Sequence, residues 1–202
     1  KYFDFLIIGS NGLLGSHLVK TLKEKKIKFL TIARSGSDCN LDLKNYKNLN
    51  SFFLKNKFKI VINCVAIFYE TNNQKFKNIH VKAACNIAET SKLLGVKQLI
   101  HISSLGAKSG SKSALLKTKG EGEEKVSKIF PNANIIRPSL IFGPEDDFFN
   151  RFARMALISP LLPSIGSATK FQPVFVNDVA RAVTFLVKNK SEKRYLELGG
   201  QE

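Results

Sequence analysis

Three glycines near the N-terminus are spaced for one kind of chemistry. Gly9-Ser10-Asn11-Gly12-Leu13-Leu14-Gly15 follows an apolar run at 3–8 and precedes a stretch with Leu14, Leu18 and Leu22 at helical spacing. A strand, a tight turn and a helix in that order bring backbone close to a pyrophosphate. The helix N-terminus then offers free N–H groups and a partial positive charge, and Gly15 lets the helix pack closely on the sheet. The end of the next strand run selects the nucleotide. Thr31-Ile32-Ala33-Arg34-Ser35 carries no carboxylate to accept from a ribose 2′-hydroxyl. Arg34 can pair with a 2′-phosphate, and Ser35 can add a hydrogen bond. These residues favour NADP(H), with NAD(H) the alternative. Asp42, followed by Leu43, is placed for the adenine amino group. Cys64, Val65 and Ala66 end a further strand beside the adenosine half.

A second pair of residues shares a helix face. Leu115 and Lys119 stand four apart in a helical stretch, so both project from one face. Lys119 has a titratable amine. Leu115 has no ionisable group and cannot act as a general acid or base.

These residues need elements to hold them, and the chain alternates strand-like and helical runs as a parallel α/β sheet requires. Strands are expected at 3–8, 29–33, 60–65, 98–103, 134–137, 171–176 and 195–198. Helices are expected at 13–25, 43–55, 74–94 (closed by Gly95), 113–129, 148–158 and 178–188. The predicted fold is a Rossmann-type, doubly wound α/β sheet with helices on both faces, plus a small, incomplete C-terminal substrate-side portion. Residues 1–144 form the dinucleotide-binding domain. Residues 145–202 form a substrate-side or partner-docking portion, interleaved with the last sheet elements into one unit.

The 202 residues suffice for one well-cored domain. No apolar run reaches the ~20 residues that span a bilayer. Cys39, Cys64 and Cys85 lack metal or redox spacing and read as reduced thiols. The net charge of +16 permits an anionic partner. Its lysines are spread along the chain, as the Lys- and Asn-rich coding of an AT-rich genome would also give. No zinc-finger, RRM or KH motif appears, so nucleic acid is an unlikely partner.

Taken together, the glycine loop, His101-Ile102-Ser103-Ser104, Ser113 to Lys119 and Arg137-Pro138-Ser139-Leu140-Ile141-Phe142-Gly143-Pro144 resemble the extended and atypical short-chain dehydrogenase/reductase superfamily. The resemblance implies that Ser104 polarises a substrate carbonyl and that Ile102 and Ser103 line the cofactor. It also implies that Lys119 holds the cofactor ribose, and that Arg137, Pro138, Ser139 and Ile141 pack against the nicotinamide. A tyrosine would relay the proton at the position Leu115 occupies. Ser104, Leu115 and Lys119 are therefore remnant catalytic positions, none of them a confirmed catalyst.

A narrower match runs through residues 142–153, 171–176 and 195–200. It is similar to the nucleotide-binding accessory subunit of respiratory complex I and its alphaproteobacterial relatives. That resemblance implies tightly held NADPH, complex I subunits as partners and a structural or assembly role. It also implies a peripheral place with contact to an anionic membrane surface, on the cytoplasmic face of a bacterial inner membrane or in the mitochondrial matrix of a eukaryote. The short stretch from Ala33 to Leu43 is instead similar to dTDP-4-dehydrorhamnose reductases. The alternative is accordingly an active NADP-dependent reductase, epimerase or dehydratase on a nucleotide-sugar-like substrate. A redox-sensing or RNA-associated regulator is a third class that the charge permits.

Other residues have plainer expected roles. His80 and His101 are expected to be structural, and His17 to mark a helix surface. Glu121, Glu123 and Glu124 are expected on a solvated face. Phe148, Phe149, Phe152, Met155 and Ile158 form an apolar stripe beside Arg151 and Arg154, expected mainly to pack in the core. No metal site is expected.

Overall fold

The N-terminal apolar run forms β1 (Tyr2–Ile8), and from Phe5 onward its side chains are buried on both faces. A strand buried on both sides needs a helical layer above and below and parallel neighbours. The computed structural model describes residues 1–43, 46–158, 170–188 and 194–201. In it β1 pairs in parallel with β2 (Phe29–Ala33) on one side and β4 (Lys57–Asn63) on the other. Two-residue β3 (Cys39–Asn40) extends the β2 edge. β5 (Gln98–Ile102), β6 (Asn134–Pro138) and β9 (Tyr195–Leu198) extend the other edge. The strand order is β3-β2-β1-β4-β5-β6-β9, every pairing parallel.

Successive strand residues feed two separate cores. Leu6, Ile8, Val61, Leu99 and Ile135 face α2 (Tyr46–Lys55), α3 (Ala84–Leu93) and α4 (Ala114–Ile129). Phe5, Ile7, Ile60, Ile62, Ile100 and Ile136 face α1 (Leu13–Glu24) and α6 (Val176–Lys188). Each fully buried Leu or Ile contributes about 1.5–3 kcal/mol, so both layers are held chiefly by apolar burial. The sheet is thus the doubly wound α/β type that the alternation predicts. Its order reverses at β1, where such sheets open a crevice at the strand C-termini.

Four elements differ from the sequence reading. The helix expected at 74–94 begins later, with a π-helical segment (Lys77–Ala83) that runs into α3. Its start is fixed by Glu70, whose Oε1 accepts from Phe76 N–H at 2.8 Å. The strand expected at 60–65 runs from Lys57 and stops at Asn63, whose Oδ1 accepts from Val65 N–H at 3.1 Å and turns the chain. The run 171–176 yields only β8 (Val174–Phe175). It pairs with β7 (Ile141–Phe142) in a ribbon outside the main sheet, and it is short because Pro173 has no N–H to extend it and α6 begins at Val176. The expected helix at 43–55 begins at Tyr46, with Leu43 buried ahead of it and residues 44–45 outside the described set.

The C-terminal portion packs into this architecture. α6 covers one face and β9 pairs with β6. α5 (Phe148–Ile158) corrects an expectation: none of its residues is buried. Phe148, Phe149, Phe152 and Met155 stay 36–45% exposed, and the Phe148 ring packs edge-on against those of Phe149 and Phe152.

Candidate functional site

Because the strands are parallel, their C-termini share one edge of the sheet, and the loops that follow them meet there. The glycine turn comes first. Gly9 has φ +86°, a conformation that favours glycine, and a Cβ on it would press against Val65 and the Cys64 carbonyl carbon. A Cβ on Gly15 would overlap the Gly9 carbonyl oxygen. No side chain caps α1 at Gly12. The first-turn N–H groups are therefore left toward the turn, as an anion site requires. Ser10 is buried, Asn11 exposed, Leu13 half-buried and Leu14 in the core.

The loop after β2 lies against this turn, since Asn11 Nδ2 donates to the Ser35 carbonyl oxygen. Arg34 and Ser35 are exposed, and among the described residues Arg34 has no ion-pair partner. Asp42 is exposed as well. The Leu43 side chain is only 8% exposed and sits in the α2–α3–α4 core, so packing is its visible role. Cys64, Val65 and Ala66 line the turn after β4, and Cys64 N–H donates to Ile8 O at 2.8 Å. Burial pushes the Cys64 thiol up to about 12, which keeps it protonated.

Of the three positions that the resemblance marks as remnants, Lys119 and Ser104 come together. Lys119 is 5% exposed, and its Nζ donates to Ser104 Oγ at 2.7 Å and to the Ser103 carbonyl at 3.2 Å. Burial draws the Lys119 amine down to about 8, with Glu123 pulling the other way. Leu115, half-buried, lies one turn earlier on α4. Ile102 is buried at the end of β5, and the Ser103 hydroxyl oxygen is buried without a protein partner.

Two buried histidines flank the amine. His80, on the π-helical segment, is held between Thr118 Oγ1 (3.0 Å to Nδ1) and the Ile67 carbonyl (3.1 Å to Nε2). His101 Nδ1 lies 3.0 Å from Asn63 Nδ2. Burial first and the Lys119 charge second lower His80 to about 4 and His101 to about 3. Both imidazoles are neutral at neutral pH.

Arg137 is placed differently from the sequence expectation. Its guanidinium forks onto Glu123 (2.6 Å from Nη2 to Oε2, 3.0 Å from Nε to Oε1) and reaches Glu197 at 3.4 Å. It also stacks on the Tyr195 ring at 4.7 Å. Arg137 thus fastens α4 to β6 and β9, and its guanidinium is committed to the protein. Pro138 is buried, while Ser139 and Ile141 are half-buried after the strand end. Glu123 is corrected with it: the expected solvated acid is 2% exposed.

His17 also departs from its expected surface role. Its ring is 13% exposed and bridges Asn177 Oδ1 (2.6 Å) and Glu145 Oε2 (3.0 Å), joining α1 to the loop after β7 and to α6. That hydrogen bond holds the Glu145 carboxyl below its usual range. The partners lie 128 and 160 residues away, so no local spacing signals them. Among the described residues no three His, Cys, Asp or Glu side chains gather as a metal site, and Cys39, Cys64 and Cys85 are unpaired.

Comparison with known proteins agrees with this fold. The chain is 43% identical over 132 residues to mitochondrial NADH dehydrogenase [ubiquinone] 1 alpha subcomplex subunit 9 of Mus musculus, covering 64% of this chain and 35% of that protein. It spans between 35% and 59% of the lengths of the curated relatives of that name. The dTDP-4-dehydrorhamnose reductase of Clostridium acetobutylicum superposes with a TM-score of 0.83 at 24% identity, over 98% of this chain and 75% of that one. The Bacillus anthracis reductase, solved in complex with NADP, superposes with a TM-score of 0.79 at 18% identity, over 100% of this chain and 76% of that one. These structures share the fold. The profile described as RmlD substrate binding domain matches residues 3–201, and the chain belongs to that family.

Proposed function

We propose that this chain is an NADP(H)-binding, non-catalytic accessory subunit of a respiratory NADH:quinone oxidoreductase. One observation carries the reading. The glycine turn and the Ser104–Lys119 pair are present, whereas an aliphatic side chain, Leu115, stands one turn from Lys119 where the family resemblance puts a proton-relaying tyrosine. The residues present fit a dinucleotide. Gly9 and Gly15 keep space that a Cβ would fill, the α1 N-terminus is uncapped, and the Ser103 hydroxyl oxygen is buried with no protein partner. Bound, such a cofactor supplies hydride chemistry. Here the glycine turn would hold its phosphates, Arg34 its 2′-phosphate and Lys119 its ribose.

The likeness to the alpha subcomplex subunit 9 proteins supports complex I subunits as partners and a peripheral position, on an inner membrane face or in a mitochondrial matrix. Among the described residues no helix is long and apolar enough to cross a membrane. The basic charge suits an anionic surface.

A second reading, an NADP-dependent reductase or epimerase acting on a nucleotide-sugar-like substrate, is favoured by one feature. The buried Lys119 amine, drawn down to about 8 and hydrogen-bonded to Ser104, could exchange a proton near neutral pH. One measurement separates the two. Protein purified aerobically is denatured and the released nucleotide identified. The accessory reading expects reduced NADPH near one per chain. Oxidised or freely exchanged nucleotide favours the enzyme, and no nucleotide, with none bound on addition, removes both.

A further inference from the structure

Asp38 lies four residues past Arg34, in the loop that Asn11 ties to the glycine turn through Ser35. An acid in this region is the usual acceptor for the ribose hydroxyls of a dinucleotide that lacks a 2′-phosphate. Here the carboxylate is already engaged. β2 is paired on its outer side only at Ile32 and Ala33, by the two-residue β3. The N–H groups of Thr31 and Ala33 take side-chain acceptors instead. Ser37 Oγ accepts from Ala33 N–H at 2.9 Å, and Asp38 Oδ2 accepts from Thr31 N–H at 2.9 Å. The Thr31 hydroxyl donates to the same Oδ2 at 2.8 Å, and Asp38 N–H donates back to Thr31 Oγ1 at 3.0 Å. Thr31 is 7% exposed, so the ring of three hydrogen bonds is anchored on a buried strand residue.

We propose that Thr31 sets nucleotide specificity by holding Asp38 on the strand edge. The carboxylate is withheld from the ribose, and Arg34, with no ion-pair partner among the described residues, is left to meet a 2′-phosphate. Releasing Asp38 would break two bonds to an ionised acceptor, the stronger class, and would orphan the Thr31 N–H. A ribose hydroxyl offers less in return. The inference rests on the dinucleotide site proposed above and adds the residue that closes it to the unphosphorylated form.

The test titrates NADPH and NADH, by nucleotide fluorescence, into the parent, Thr31→Val, Asp38→Asn and the double variant, with thermal melts to check each fold. Thr31→Val keeps the side-chain shape and removes the hydroxyl from the ring. The ratio of NADH to NADPH dissociation constants is expected to fall roughly tenfold, through tighter NADH binding, as one charge-assisted hydrogen bond becomes available. Adding Asp38→Asn should erase that gain. Asp38→Asn alone should leave NADH affinity unchanged, and this exposed position carries the test if Thr31→Val does not fold.

An unchanged ratio in folded Thr31→Val overturns the proposal. So does weaker NADH binding in Asp38→Asn alone, which would mean the carboxylate already serves the ribose. Both results leave the dinucleotide site standing. A parent that binds neither nucleotide overturns the site, and the proposal with it.

Discussion

At Lys119, His80 and His101, burial decides the chemistry. Three basic side chains share one desolvated region, and each charge raises the cost of the next. The amine keeps the proton because Glu123 supports it, and both imidazoles give theirs up. This sets a pH dependence with a definite sign. The histidines titrate at about 4 and about 3 when folded, against an ordinary value of 6.5. As pH falls below 6.5 the unfolded chain binds protons that the native chain refuses. The stability contribution is therefore full above that value and lost progressively as pH falls through about 4 toward about 3. Melting temperature is expected to drop across this window, and the drop should be shallower in a His80→Asn/His101→Asn variant. Parallel curves for parent and variant would show that carboxylates alone produce it. At this scale the sequence was legible where chemistry is local. Lys119 is titratable by type, and Leu115 stands out through the family resemblance that expects a tyrosine there. The pairing of Lys119 with Ser104 is a tertiary contact between α4 and the turn after β5, which no local pattern signals. The depressed imidazoles do not follow from sequence, since a lone histidine carries no mark of its burial.

Among the elements, the glycine turn was the most readable, because backbone geometry dictates residue type there. Gly15 stands where a Cβ would meet the Gly9 carbonyl oxygen, and no other residue fits without moving backbone. The π-helical segment was hidden. Its register is set by His80, wedged between Ile67 and Thr118, and by Gly122 of α4 against the His80 carbonyl, contacts that no periodicity encodes. Glu123 was misread for a similar reason. A carboxylate beside Glu124 and Lys125 looks solvated until β6 places Arg137 opposite it. The pair fastens α4 to the sheet with Glu123 at 2% exposure, while the Arg137 side chain keeps 24%. Glu123→Gln leaves the guanidinium only its longer, more exposed contact with Glu197 and is expected to cost roughly 2–4 kcal/mol, somewhat less than a fully buried pair. The measurement is a urea midpoint that falls with an unchanged slope. Glu123→Leu with Arg137→Met should recover part of the loss, since an apolar pair removes both charges together.

Over the whole molecule, the doubly wound sheet was legible from the alternation of runs, and the parallel order then forces the strand ends to converge. The site is therefore a property of the fold as much as of any side chain. The turns after β1, β2, β4 and β5 all border it, and each is tied to a neighbouring strand or turn: Gly9 N–H to Ile32 O, Cys64 N–H to Ile8 O, Ser103 N–H to Ile136 O, Asn11 to Ser35. A dinucleotide held there would brace α1 on one face and α4 on the other. The net charge of +16 adds a second coupling, because a compact cation is stabilised by anions it binds. Ligand present at a hundred times its dissociation constant contributes about 2.7 kcal/mol to the folded state. For a domain of this size that is a rise in Tm of roughly 5–10 °C. The phosphate part of that gain is electrostatic and partly exposed. The rise should therefore be larger in dilute buffer than at ~0.5 M salt, where screening acts within a few ångströms. Calorimetry of nucleotide-free and NADPH-saturated protein at the two salt concentrations checks both statements. A Tm indifferent to NADPH would mean that the cradle does not hold it. A rise indifferent to salt would mean that adenine and nicotinamide packing, rather than the phosphates, anchors the cofactor.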